Sequence, residues 1–182
     1  MLALSDGVIA IVITLLVLDI SVPDVPRDSS PTVLIGEIFG QWPEFVGFVL
    51  SFLVVGHYWV LHRRTFVYIE KHERGLVYLN LLFLLVTAFI PYATGMFTAY
   101  PNQFGISFLS AVLALTGLSL ALVWIYAGRK EIVDEGLGSR VIEIQAARFL
   151  VSPLVFLGSI IAAVFDPILA ILTWLLLFPL NG

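Results

Sequence analysis

The charges in this 182-residue chain are pushed out of long apolar runs and collect between them. Six such runs cover residues 3–22, 42–62, 76–97, 104–127, 149–165 and 167–180. The first four are close to the ~20 apolar residues that cross a ~30 Å hydrocarbon core. The last two are shorter, and Asp166-Pro167 between them reads as a tight turn. Only 12% of the residues are charged and the mean hydropathy is +1.04, whereas a water-soluble domain is nearer a quarter charged. We therefore expect an all-α integral membrane protein, a single domain of six transmembrane helices over residues 1–182. That excludes a typical cytosolic enzyme and a disordered chain. The formal net charge of −4 speaks against a nucleic-acid partner, and the lack of cysteine excludes thiol catalysis and Cys-ligated metals.

The basic residues set the orientation. Arg63, Arg64, Lys71 and Arg74 lie between the second and third runs, and Arg129, Lys130, Arg140 and Arg148 between the fourth and fifth. Of the 9 basic residues only Arg27 falls elsewhere. The positive-inside tendency puts these two alternate connections in the cytoplasm, and parity then predicts that both termini are cytoplasmic. Trp42, Tyr100, Trp59 and Tyr68 fall near the predicted interfaces, as belt residues do. No basic stretch precedes the first run, so we read it as a span rather than a cleaved leader. Residues 21–41 are expected to form an external loop carrying Asp24, Asp28 and Glu37, with Glu44 just beyond. Residues 131–148 are expected to form a turn at Gly136 and Gly138, then a helix lying on the membrane. Ser107, Ser110, Gly117 and Ser119 suggest close helix packing, and Pro91 and Pro153 predict kinks.

The first run is the most informative. On a helical wheel at ~100° per residue, Gly7, Ile11, Thr14, Leu15 and Leu18 form one stripe, and Asp6 lies roughly opposite. An apolar stripe is ordinarily a packing face, but rings of apolar side chains also gate pores by dewetting. An intramembrane acid costs ~2.5–3.5 kcal/mol on insertion scales and pairs or lines a path. By depth, Ser5, Asp6, His57 and Asn80 share one layer near the cytoplasmic side. A hydrogen-bond network there would be either a clamp joining the first three spans or a proton relay.

The run from Leu4-Ser5-Asp6-Gly7 through Ala10-Ile11 and Thr14-Leu15-Leu16 resembles the first-helix signature of the transmembrane protein 175 family of potassium channels. That signature is Arg-x-x-x-Phe-Ser-Asp, then Ala-Ile and Thr-Leu-Leu. Its Phe is Leu4 here, and its Arg would fall one position before Met1. The His57-Tyr58-Trp59 and His62-Arg63 neighbourhood, Asn80 and Pro91 also look like the family's second and third helices. The resemblance implies a prokaryotic, multi-pass channel of the cell membrane, a homotetramer whose central pore is lined by the first helix. It implies a hydrophobic gate at Ile11 in place of a carbonyl filter, a Thr14 hydroxyl layer, and further apolar layers at Leu15 and Leu18. The partners would be other copies of the chain, the lipid bilayer and permeant potassium, with no other cofactor. A proton-conducting channel, or a proton-coupled transporter using Asp6 and His57, is the alternative. No HExxH or GxSxG motif is present, so an enzyme is not expected.

Overall fold

The computed structural model describes residues 1–69, 71, 73–134, 136 and 138–177. Among these the fold is all-helical: α1 (Leu2–Leu15), a 3-10 turn (Leu16–Asp19), α2 (Pro31–Gly40), α3 (Trp42–Val67), α4 (Arg74–Ala88), α5 (Ile90–Ala99), α6 (Gln103–Arg129), α7 (Ser139–Phe165) and α8 (Pro167–Trp174). Five helical stretches are long and apolar enough to cross a membrane, with α4 and α5 counted together.

Helix α6 is the axis of the protomer. Asn102 caps it, its side-chain oxygen accepting from the backbone N–H of Phe104 (2.9 Å) and Gly105 (3.3 Å). The helix packs against α4, α5 and α7. Lipid tails are as apolar as leucine, so burial against other helices gains little hydrophobic energy; close backbone approach and interhelical hydrogen bonds supply the adhesion. Both are visible along α6. Ser159 of α7 donates to Ser110 (2.7 Å), and the Tyr58 hydroxyl of α3 donates to the Leu113 carbonyl (2.8 Å). A Cβ placed on Gly117 would stand 2.7 Å from Cγ of Pro153 and 2.8 Å from Oη of Tyr58, so only glycine lets α3, α6 and α7 meet there. The small residues of the fourth run are thus packing residues, at Ser110 and Gly117 most clearly.

The boundaries depart from expectation in ways that have physical causes. The first span ends at Asp19 rather than Val22: Ile20 is already extended, and Pro23 has no N–H to offer the Asp19 carbonyl in a continuing helix. The second continues to Val67, five residues past His62, and takes Arg63 and Arg64 into its last two turns, where cations suit the carbonyl end of the dipole. The third is two helices that break at Phe89, two residues before Pro91. The loop expected over 21–41 contains α2, which starts on Pro31 at its first turn and carries the apolar run Val33–Ile35. The membrane-surface helix and the fifth span are one helix of 27 residues, α7, which passes through Pro153 without ending. The sixth run gives the 8-residue α8, opened by Asp166, whose carboxylate accepts from Ile168 N–H at 2.7 Å. Residues 178–180 of that expected span lie outside the described residues.

The two basic connections share one end of the bundle. Ile69 and Val133 form an isolated antiparallel bridge between them, and Asp134 N–H donates to the Tyr68 carbonyl at 2.9 Å.

Candidate functional site

Helix α1 has two faces. Ser5, Ile9, Val12 and Leu16 repeat at i, i+4, i+7 and i+11 and are all buried, Ile9 at 1% and Leu16 at 0% exposure. They pack against α3, α4 and α5. The stripe that the wheel singled out is on the other side. Gly7 and Thr14 are exposed, and Ile11, Leu15 and Leu18 are 60%, 42% and 73% exposed in the single chain. Thr14 donates its hydroxyl proton to the carbonyl of Ile11 one turn back (2.8 Å). Its oxygen therefore keeps its lone pairs for an outside partner, polarised by the bond it makes.

The polar residues near the start of α1 fall into two separate groups. In the first, Asn80 of α4 donates from Nδ2 to Ser5 Oγ (3.1 Å) and accepts at Oδ1 from His62 Nε2 of α3 (2.8 Å). Amide oxygens only accept, so the ring proton sits on Nε2. Ser5, His62 and Asn80 are all at 0–1% exposure, and His62 is stacked on Phe83 (5.1 Å) and tilted on Phe66 (4.5 Å). Nδ1 of His62 has no hydrogen-bond partner among the described residues. The second group is at the surface. Asp6 accepts from Trp59 Nε1 (2.8 Å) and from Arg63 (2.8 Å), whose guanidinium also lies 5.6 Å from the Trp59 ring centroid. Both groups tie α1 to the basic end of α3, and the first adds α4.

The expected layer of Ser5, Asp6, His57 and Asn80 is corrected on this point. The structure joins Ser5 to Asn80, but the histidine with them is His62, and Asp6 belongs to the outer group. His57 is half-buried, and its Nε2 has no partner among the described residues. The inward stripe of α3 is Ser51, Val54, Val55, Tyr58, His62 and Thr65. His57 lies about 100° from Tyr58 on that helix and about 140° from His62, so it faces elsewhere. Trp59 and Arg63, the partners of Asp6, were not expected in that role; their i, i+4 spacing is the signal that could have revealed them. Among the described residues no group of three or more His, Cys, Asp or Glu could hold a metal ion.

Residues 1–91 match the family described as endosomal/lysosomal potassium channel TMEM175. A protein named potassium channel from Streptomyces collinus is 42% identical over 123 residues, 67% of this chain and 58% of the relative. Another so named, from Chamaesiphon minutus, is 33% identical over 122 residues, 67% of this chain and 60% of the relative. The chain thus aligns with about three fifths of these relatives' length. The human protein named endosomal/lysosomal proton channel TMEM175 is 36% identical over 107 residues, 56% of this chain and 21% of that protein. The fold is similar to the crystal structure titled a lysosomal potassium-selective channel TMEM175 homolog from Chamaesiphon minutus. The TM-score is 0.85 at 24% identity, over 98% of this chain and 93% of that one.

Proposed function

The chain belongs to the TMEM175 family of channels, and we propose that it is a homotetrameric, potassium-conducting channel of a prokaryotic cell membrane whose central pore is lined by α1. The observation that carries this reading is the face of α1 that the protomer leaves open. Leu4, Gly7, Ile11, Thr14 and Leu18 are exposed and alternate at spacings of three and four. That is the spacing of a seam between helices packed around a common axis, and Ala3, Ala10, Leu15 and Val17 are exposed beside it. An open face of this kind, on a helix held from behind by its own protomer, encloses a path only where copies of it meet. The names of the two bacterial relatives support potassium as the ion.

In this reading four Ile11 side chains form a dry ring. A cation crossing it sheds water, and potassium sheds it more cheaply than sodium. The Thr14 hydroxyl oxygens offer partial replacement ligands one turn on, and Leu15 and Leu18 extend the apolar gate. No formal charge stands in the stripe, so an ion is not trapped, and selectivity is modest. The second reading is proton conduction, favoured by the names of the vertebrate relatives. A relay through Asp6 and His57 lacks support, because Asp6 is engaged by Trp59 and Arg63.

The absence of cysteine makes the geometry directly testable. Leu18→Cys is expected to give disulfide-linked dimers in oxidised membranes, and Ile9→Cys none. Native mass spectrometry is expected to show a particle of about four times the 20.1 kDa chain. Equal cross-linking at both positions would sink the pore assignment. In liposomes with opposed potassium and sodium gradients, the reversal potential is expected on the potassium side; one that follows only a pH gradient would favour the proton reading.

A further inference from the structure

Where α3, α6 and α7 come together at the basic end, a cavity of about 320 Å³ opens between Tyr68, Trp124, Val141, Ile144, Gln145 and Arg148. That is the lower end of the range for small-molecule pockets. We propose that this cavity binds the phosphate of an anionic phospholipid, with Arg148 as the cation that holds it.

The four α7 residues recur at i, i+3, i+4 and i+7, so one face of the helix forms one wall. The opposite wall is fixed. Trp124 is buried at 1% exposure, donates its indole N–H to the Ile142 carbonyl (3.0 Å), and meets Tyr68 edge-on at 6.3 Å. Its hydrogen-bonding capacity is spent, and it serves as an apolar floor. Three polar tips remain on the lining: the Tyr68 hydroxyl, the Gln145 amide and the Arg148 guanidinium. Arg148 is exposed, and among the described residues no carboxylate is within ion-pair distance of it and no acidic residue lines the cavity. A guanidinium with two neutral donors is the donor set a phosphate takes.

The depth selects a lipid over a free ion. Arg148 is the last basic residue before the apolar run that starts at Phe149, and Tyr68 caps the end of α3. Both therefore stand at headgroup level. Val141 and Ile144 are half exposed beside them and offer contact to the glycerol and first acyl carbons, which a free phosphate would leave bare. The connection from Arg129 to Arg148 carries four basic and four acidic residues, so it adds no net charge of its own, and the preference for a net-negative headgroup rests on Arg148.

The inference rests on membrane residence and not on ion conduction, so its test needs no current. The purified full chain in detergent is titrated with phosphatidylglycerol, phosphatidylcholine or inorganic phosphate and read by native mass spectrometry. Phosphatidylglycerol is expected to be retained about tenfold better than phosphatidylcholine. Arg148→Gln is expected to lose about tenfold of that retention, the scale of one charge-assisted hydrogen bond. Arg140→Gln, on the same helix but outside the lining, is expected to retain it. Should Arg148→Gln not fold, Tyr68→Phe and Gln145→Leu give the same readout, each with a smaller loss. Retention unchanged in the lining variants overturns the site. Displacement of the lipid by millimolar inorganic phosphate would identify free phosphate as the occupant and overturn the lipid assignment. Loss of the lipid on assembly of copies would show that a neighbouring protomer covers the cavity, and would overturn it too.

Discussion

Helices α1 and α6 have the same mean hydropathy over their membrane-length windows, 2.2, yet 22% of the first window is buried in the protomer against 67% of the second. Greasiness puts both in the bilayer and says nothing about which neighbours they meet there. The glycines tell them apart. Gly117 of α6 is wedged against Pro153 and Tyr58, whereas nothing of the protomer comes within 4 Å of a Cβ on Gly7 of α1. One glycine makes contact within a chain; the other leaves room on a face that the chain itself does not fill. A helix buried all round has its role fixed by its own protomer. A helix buried on one stripe has half its surroundings still to be supplied.

Substitutions on the two helices can break that contrast. Gly117→Leu should be the most damaging, because four atoms are forced where one does not fit. We expect a loss of about 3 kcal/mol, read as failure to recover monodisperse protein. Asn80→Leu comes next: it removes the amide that joins Ser5 to His62 and leaves a buried hydroxyl and ring nitrogen without it. The expected loss is about 1–2 kcal/mol by thermal unfolding in detergent. On the open side of α1 the fold should be indifferent and the current should respond. Ile11→Asn is expected to leave the melting temperature within error while raising single-channel conductance several-fold, by wetting the ring. Thr14→Ala should have the smallest effect, an unchanged fold and conductance with a lower potassium-to-sodium permeability ratio. If Ile11→Asn instead destabilised the protein as Gly117→Leu does, the two helices would not differ in kind.

The stripe on α1 could be read from sequence because it is a property of one helix: 3.6 residues per turn fix which residues share a face, whatever the neighbours do. Partners across helices depend on how each helix is rotated and where it ends. With the second span ending at His62, depth points to His57, five residues before that end; the helix runs to Val67, and the residue five before Val67 is His62 itself. The depth argument was sound and its ruler was short. A similar limit applies to α2, where Pro, Asp and Ser over 22–30 signal a loop and hide the short apolar helix that follows. The continuity of α7 was hidden by the opposite cue. A run of charged residues looked like a separate surface helix, although nothing between Arg140 and Ser152 breaks helical hydrogen bonding.

The polar contacts of α1 sit only at its beginning. Ser5 and Asp6 are bonded to α3 and α4, and from Gly7 to Asp19 no side chain of the segment hydrogen-bonds another element among the described residues. Beyond that root the segment is held by packing alone, with Ile9, Val12 and Leu16 buried against α3, α4 and α5. At 1.5 Å per residue, Ile11 is about 9 Å from Ser5 along the axis and Leu18 about 20 Å. Leu18 therefore stands about twice as far as Ile11 from the hydrogen-bonded end, and what fixes its place is the packing of Leu16 on the opposite side.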